Sequence, residues 1–120
     1  MTERDDALYL AHIDEAARRI ERSATVLNRQ TLETDDDLRD ATLYRLQTMA
    51  ESTQRLSAEL KAAHPEIPWD DIAGFRNRIA HGYLGVNLDI VWDIIERDLP
   101  QLARMARDEL ALWHRAREHP

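Results

Sequence analysis

Apolar residues recur along this 120-residue chain at steps of three and four, the spacing that places side chains on one face of an α-helix. Alternating apolar and polar runs of the strand type are missing, so the pattern predicts an all-α protein. Neither an internal repeat nor a low-complexity linker divides the chain. We therefore expect one helical domain over residues 1–120.

Four amphipathic segments follow from this spacing. The first runs from about Asp5 to Asn28 and the second from about Asp35 to Ala63. The third is short, from about Pro68 to His81, and the fourth begins near Asn87. Four such helices with short connections predict an up-down four-helix bundle, elongated and with long faces available for pairing.

Single residues predict where these helices begin and bend. Thr34, followed by the acidic run Asp35–Asp37, is typical of an N-cap and a first turn. Gly74 lies inside the third segment, where glycine costs about 1 kcal/mol relative to alanine. We expect a neighbouring helix to approach closely there. Pro100 predicts a kink or restart of the fourth helix, because the apolar spacing keeps its phase across it.

Composition narrows the functional classes. The chain has 16 Lys and Arg residues against 23 Asp and Glu, a net charge of −7, which disfavours a general nucleic-acid coating protein. It has no cysteine, which excludes disulfides, a thiolate zinc site and a cysteine nucleophile. Without a signal-peptide pattern or an apolar run of ~20 residues, we expect a soluble, cytoplasmic protein.

Two sets of aromatic and imidazole side chains lack a functional spacing. We expect the scattered histidines to be solvated at the surface; these are His12, His64, His114 and His119. The tryptophans fall on apolar stripes, which favours the core or an interface between copies over nucleobase stacking; these are Trp69, Trp92 and Trp113.

The octapeptide RNRIAHGY, residues 76–83, concentrates the chemically capable side chains. A histidine followed by glycine is typical of a helix C-terminus, so a purely structural interpretation is open. Arg76 and His81 lie five positions apart, about 140° around a straight helix. They can therefore serve one substrate only if the arginine swings round or a second copy completes the site.

The spacing Arg76-x4-His81-x-Tyr83 resembles the signature of HepT-like proteins in the HEPN superfamily. The resemblance extends over HPEIPWDDIAGFRNRIAHGYLGVNLDIVWDIIERDLPQL, residues 64–102, and RDDALYLAHIDEAARRIE near the start. It implies a helical bundle of HEPN type that forms a homodimer through its long helices. Many such proteins are metal-independent endoribonuclease toxins.

The resemblance also implies roles for individual residues. Arg76 and His81 of both protomers would line one catalytic cleft, with Asn77 as a supporting polar residue. Tyr83 would receive AMP from a minimal nucleotidyltransferase antitoxin, which silences the toxin. No metal and no cofactor would be required, and the partners would be that antitoxin and an RNA substrate.

The chemistry suits these residue types. RNA carries its own nucleophile, the 2′-hydroxyl, so the protein needs only to move a proton and stabilise charge on the phosphate. Histidine titrates near neutral pH and can act as base or acid, and the arginine fork can hold a phosphate. Arg78 is better explained by a salt bridge or a contact with the RNA backbone. DNA, which lacks the 2′-hydroxyl, should resist.

Two other hypotheses remain open. The chain could be a non-catalytic helical subunit that docks to a nucleotidyltransferase, which its acidic composition favours slightly. It could also be a purely structural dimer, in which Arg76 and His81 affect only stability. An assay of RNA cleavage distinguishes the endoribonuclease hypothesis from both of these.

Overall fold

The computed structural model describes residues 3–80 and 87–118, and every regular element among them is a helix. The order is α1 (Glu3–Arg22), α2 (Arg29–Thr34), α3 (Asp36–Gln54), α4 (Ala58–Ala63), α5 (Trp69–Ala80), α6 (Leu88–Asp93), a π-helical turn (Ile94–Asp98) and α7 (Leu99–Glu118). The molecule measures 51 × 27 × 20 Å along its principal axes. The all-α prediction and the elongated shape are confirmed, whereas the up-down order of the bundle and its dimerisation stay predictions.

One hydrophobic core runs through the helices. The predicted apolar stripes supply it: Ile13 of α1, Leu46 of α3 and Val91 of α6 are each 0% exposed. Trp69 and Trp92 pack against it while partly buried. Burying side chains of this size contributes roughly 1.5–3 kcal/mol each, so the stripes are the main source of stability.

The packing of helix on helix fixes where α5 lies. α1 packs against α3 and α7, and α3 packs in turn against α5. α2 contacts α3 and α6, while the π-helical turn contacts α7. Since the principal partner of α5 is α3, the placement of any side chain on α5 depends on that one interface.

The first predicted segment is shorter in the structure. α1 ends at Arg22 rather than near Asn28, and a separate six-residue helix, α2, follows. Asn28 caps α2 by accepting from the backbone N–H of Thr31, while the Thr31 hydroxyl accepts from the backbone N–H of Asn28. This reciprocal pair satisfies two backbone donors at once, which explains the new helix start.

The second predicted segment is wrong as a single helix, because the chain breaks between α3 and α4. Asp6 of α1 accepts from both the backbone N–H of Ser57 (2.8 Å) and its hydroxyl (2.6 Å). Ser57 in turn caps α4 by accepting from the N–H of Leu60. The predicted cap at Thr34 is also displaced by one residue, since Asp35 caps α3.

The prediction that Pro100 does not end the fourth helix is confirmed. The helix continues from α6 into α7 through one wider turn, in which the N–H of Leu99 donates to the carbonyl of Ile94. Proline has no N–H to donate to the carbonyl four residues before it. A π-helical turn just before the proline is one way for the helix to continue without that hydrogen bond.

The expectation that His64 is solvated is wrong. Its side chain is 20% exposed, with Nδ1 lying 3.1 Å from Glu66 Oε1 and Nε2 lying 2.7 Å from Glu109 Oε1. Burial alone would lower the pKa of His64, but the two carboxylates outweigh it and raise the pKa above its ordinary value. His64 therefore connects the α4–α5 link to α7. His12 and His114 are exposed as predicted.

The expected close approach at Gly74 is also wrong. A Cβ added there would have no neighbouring atom within 4 Å among the described residues. Gly74 instead borders a groove between α5 and the α6–π-turn segment. The free-energy cost of a glycine inside a helix is therefore not explained by close packing at this position.

Replacing Gly74 with alanine should stabilise the protein by about 0.5–1 kcal/mol, because alanine costs less backbone entropy in a helix and meets open space here. Chemical denaturation of wild type and Gly74→Ala measures the difference. A loss of stability would show that a neighbour does approach this position.

The His64 cluster should make stability depend on pH. Since its folded pKa is raised, the stabilisation is fully present below the ordinary value of 6.5 and is lost as pH rises through the folded pKa. His64→Gln should therefore be less stable than wild type by about 1 kcal/mol near pH 6, with a smaller difference at pH 8. His12→Gln, at an exposed histidine, is the control. A pH-independent difference would contradict the cluster's ionic character.

Candidate active site

Arg76 lies on α5 at the boundary between core and solvent. Its neighbours in the same helix, Phe75 and Ile79, are 5% and 2% exposed and belong to the core. The Arg76 side chain is 39% exposed, so its guanidinium can be reached from outside. An anionic ligand therefore has access to it.

The guanidinium of Arg76 has two neighbours on the protein. Nη1 donates to the Oδ1 atom of Asn77 at 3.1 Å. Nε lies 3.7 Å from Oε1 of Glu51 on α3, too far for a hydrogen bond. Nε is buried and donates no hydrogen bond to a described residue. The Nη2 amino group has no hydrogen bond to a described residue either.

The predicted supporting role of Asn77 has a geometric basis, because its amide oxygen holds one side of the arginine fork. The sequence pattern did not identify Glu51 as a residue of this site. It lies on a different helix, and its proximity to Arg76 follows from the packing of α3 on α5 rather than from any spacing in the chain. Acidity alone does not mark it among 23 Asp and Glu residues.

His81 and Tyr83 lie outside the described residues. His81 follows Ala80, the last described residue of α5, directly in the sequence. The distance between the imidazole and the guanidinium, and the predicted convergence of two copies, therefore stay predictions.

Arg78 belongs to a different surface from Arg76. It is exposed and forms no ion pair with a described residue, and it borders the groove of about 440 Å³ beside Gly74. The salt bridge and the contact with an RNA backbone therefore both stay predictions.

The groove beside Arg78 is strongly acidic. Its lining includes four carboxylates, Asp70, Asp71, Asp93 and Asp98. Burial, followed by repulsion from Asp71 and Asp93, raises the pKa of Asp98, against the opposing effect of Arg97. A phosphate backbone would be repelled here, so this groove is a poor RNA site.

Other site classes find little support among residues 3–80 and 87–118. The acidic run Asp35–Asp37 lies at the start of α3, as predicted, although Asp35 rather than Thr34 is the cap. No group of three or more acidic or histidine side chains in these ranges could hold a metal ion. No helix within them has the length and apolar character needed to cross a membrane.

The family model for HepT-like ribonucleases matches residues 13–108, which includes Arg76, Asn77, His81 and Tyr83. This chain belongs to the HepT-like ribonuclease family. The match covers most of the described helices, from within α1 to within α7. Family membership therefore rests on the whole domain and extends well beyond the octapeptide.

Curated members of the HepT-like family are similar over most of the chain. A protein of Caldanaerobacter subterraneus subsp. tengcongensis, named "Putative RNase TTE0752", is 28% identical over 102 residues, 85% of this chain and 91% of that protein. "Probable ribonuclease HepT" of Thermococcus cleftensis is 30% identical over 94 residues, 78% of this chain and 86% of that protein.

A third relative joins such a domain to another activity. "Gamma-glutamylcyclotransferase and putative RNase MJ0434" of Methanocaldococcus jannaschii is 29% identical over 99 residues. These cover 82% of this chain but 45% of that protein. No solved structure matches the chain significantly. This chain therefore matches slightly less than half of that two-activity protein.

Proposed function

We propose that this protein is a metal-independent endoribonuclease that works as a homodimer, with Arg76 and His81 as catalytic residues. The observation that carries the proposal is the state of Arg76. Its side chain is partly exposed, Asn77 holds one side of its guanidinium, and Nη2 has no hydrogen bond to a described residue. Arg76 lies five positions before His81 within the family's domain.

The proposed reaction uses the 2′-hydroxyl of RNA as the nucleophile. The His81 imidazole takes the hydroxyl proton, the 2′ oxygen bonds to phosphorus, and the bond from phosphorus to the 5′ oxygen breaks. That oxygen takes a proton from an imidazolium, giving a 5′-hydroxyl and a 2′,3′-cyclic phosphate. Arg76 stabilises the negative charge that develops on the phosphate oxygens.

Helical geometry and the resemblance to HEPN proteins support the proposed homodimer. Positions five apart on a helix diverge by about 140°, so one straight helix does not direct both side chains at one phosphate. Two copies facing each other across a two-fold axis would bring an arginine and a histidine from each into one cleft. An isologous pairing of this kind is the commonest form of protein dimer.

We further propose that the protein is the toxin of a toxin–antitoxin pair and is silenced at Tyr83. In this step the tyrosine oxygen attacks the α-phosphate of ATP, held by a minimal nucleotidyltransferase, and pyrophosphate leaves. The attached AMP would oppose RNA near Arg76 by its bulk and by its negative charge. The tyrosine's place two residues after His81 supports this assignment.

The alternative is a non-catalytic helical subunit that docks to a nucleotidyltransferase. The net charge of −7 and the acidic groove favour it, because a protein-binding surface needs no attraction for phosphate. On this alternative Tyr83 could still be modified while RNA stays intact.

Purified protein should cleave single-stranded RNA in buffer that contains a chelator of divalent ions. Arg76→Ala should lower the rate by about 10²–10³-fold and His81→Ala by about 10²–10⁴-fold, since each removes one element of charge or proton transfer. Gel analysis of the RNA and identification of its new ends measure both effects, and DNA of the same sequence should stay intact.

Arg104→Ala is the matched control, because Arg104 is exposed on α7 and forms no ion pair with a described residue. Its rate should equal that of wild type. If wild type leaves RNA intact, or if all three variants cleave equally well, the nuclease proposal is wrong and the docking alternative gains.

Incubation with the nucleotidyltransferase and ATP should increase the protein's mass by whole AMP units and abolish RNA cleavage. Tyr83→Phe should prevent both, because phenylalanine has no oxygen to accept the phosphoryl group. Tyr44→Phe is the control, since Tyr44 is 64% exposed on α3 and far from the motif in sequence. Intact-protein mass spectrometry decides; modification that persists in Tyr83→Phe would refute the assignment.

A further inference from the structure

The Nε atom of Arg76 is a hydrogen-bond donor without an acceptor among the described residues. It is buried and donates no hydrogen bond to a described residue. An unsatisfied buried donor costs about 1–3 kcal/mol, and most such groups in folded proteins have a partner. Because Nε is closed to solvent, a bound substrate cannot reach it either. Its partner has to come from the protein.

Among the described residues, Glu51 is the acceptor in position to bind Nε. Its Oε1 atom lies 3.7 Å from Nε, about 0.8 Å beyond an ordinary N–H···O bond. Its side chain is 48% exposed, so it can rotate to close this gap without disturbing the core. On the preceding turn of α3, Gln47 donates to the same Oε1 atom at 3.4 Å, which holds the carboxylate on this side of the helix.

The backbones beneath this pair are fixed by the core. Met49 and Ala50, the latter next to Glu51, are 3% and 1% exposed, and Phe75, next to Arg76, is 5% exposed. All three belong to one hydrophobic cluster, through which α3 packs against α5. Only side-chain torsions therefore separate the observed distance from a hydrogen bond.

We propose that Glu51 is the positioning residue for Arg76 in RNA cleavage, an inference that rests on the proposed nuclease function. Glu51 holds Nε from the α3 side while Asn77 holds one N–H of Nη1. The remaining N–H groups of the fork then point as a unit at the substrate phosphate. Glu51 itself does not touch RNA.

The carboxylate has two opposing effects on the phosphate site. It orients the guanidinium, which lowers the entropy lost when the fork meets the transition state. Its negative charge also reduces the local attraction for RNA. Orientation affects kcat, whereas charge affects KM, so the two effects can be separated by substitution.

Glu51→Ala removes the acceptor, and kcat should fall by about 10-fold to 100-fold. Glu51→Gln keeps an acceptor oxygen and removes the charge. It should retain kcat within about threefold of wild type while KM for RNA falls. Glu96→Ala, at an exposed glutamate of the π-helical turn, is the matched control and should behave as wild type.

A double-mutant cycle tests whether Glu51 acts through Arg76. If it does, Glu51→Ala combined with Arg76→Ala should cleave RNA no more slowly than Arg76→Ala alone. Additive losses, or a wild-type kcat in Glu51→Ala, would overturn the proposal.

The NMR signal of the Arg76 Nε–H group gives a readout that does not depend on cleavage. It should exchange slowly in wild type and in Glu51→Gln, and broaden or vanish in Glu51→Ala. If wild-type protein fails to cleave RNA, the nuclease function is wrong, while this signal still decides whether Glu51 positions the guanidinium. A signal unchanged in Glu51→Ala refutes the positioning role.

Discussion

The packing of α3 against α5 is the constraint on which the candidate site depends. α5 carries Arg76, and its principal partner among the described helices is α3. The buried residues on both helices form one cluster, so the two backbones cannot shift independently without opening a cavity. Glu51 and Arg76 are brought together as a by-product of this apolar contact. The polar geometry of the site is therefore determined by hydrophobic burial one residue away on each helix.

The sequence predicted the parts of the fold that local patterns determine. The apolar stripes located α1, α5 and the helix that continues past Pro100, because their spacing reports which face is buried. The division between α3 and α4 was not predictable in this way. Its cause is the pair of hydrogen bonds that Ser57 donates to Asp6, a residue far away in the chain and adjacent only after folding. α2 had a readable signal, the reciprocal capping of Asn28 and Thr31, which the break in periodicity concealed.

The residues of the candidate site also differ in whether local sequence patterns could predict them. Arg76, Asn77, His81 and Tyr83 were found because they are neighbours in sequence and match a family pattern that also extends over most of the chain. Glu51 could not be found, since nothing in its spacing distinguishes it from other exposed glutamates. The environment of His64 was missed for the same reason, because Glu109 reaches it from α7. Residues that act through contacts between helices require the fold before they can be recognised.

The protein's negative charge bears on how it could bind a phosphate backbone. The chain carries a net charge of −7, and the groove on one side of α5 concentrates four carboxylates. Burial, followed by repulsion from Asp71 and Asp93, raises the pKa of Asp98 in this groove. A phosphate backbone gains no general attraction from such a surface. On the proposed function, binding must therefore come from the few positions where a guanidinium is exposed and held in place. On the same proposal, we expect RNA segments that place a phosphate at Arg76 to be favoured, because contacts with the acidic surface elsewhere cost free energy.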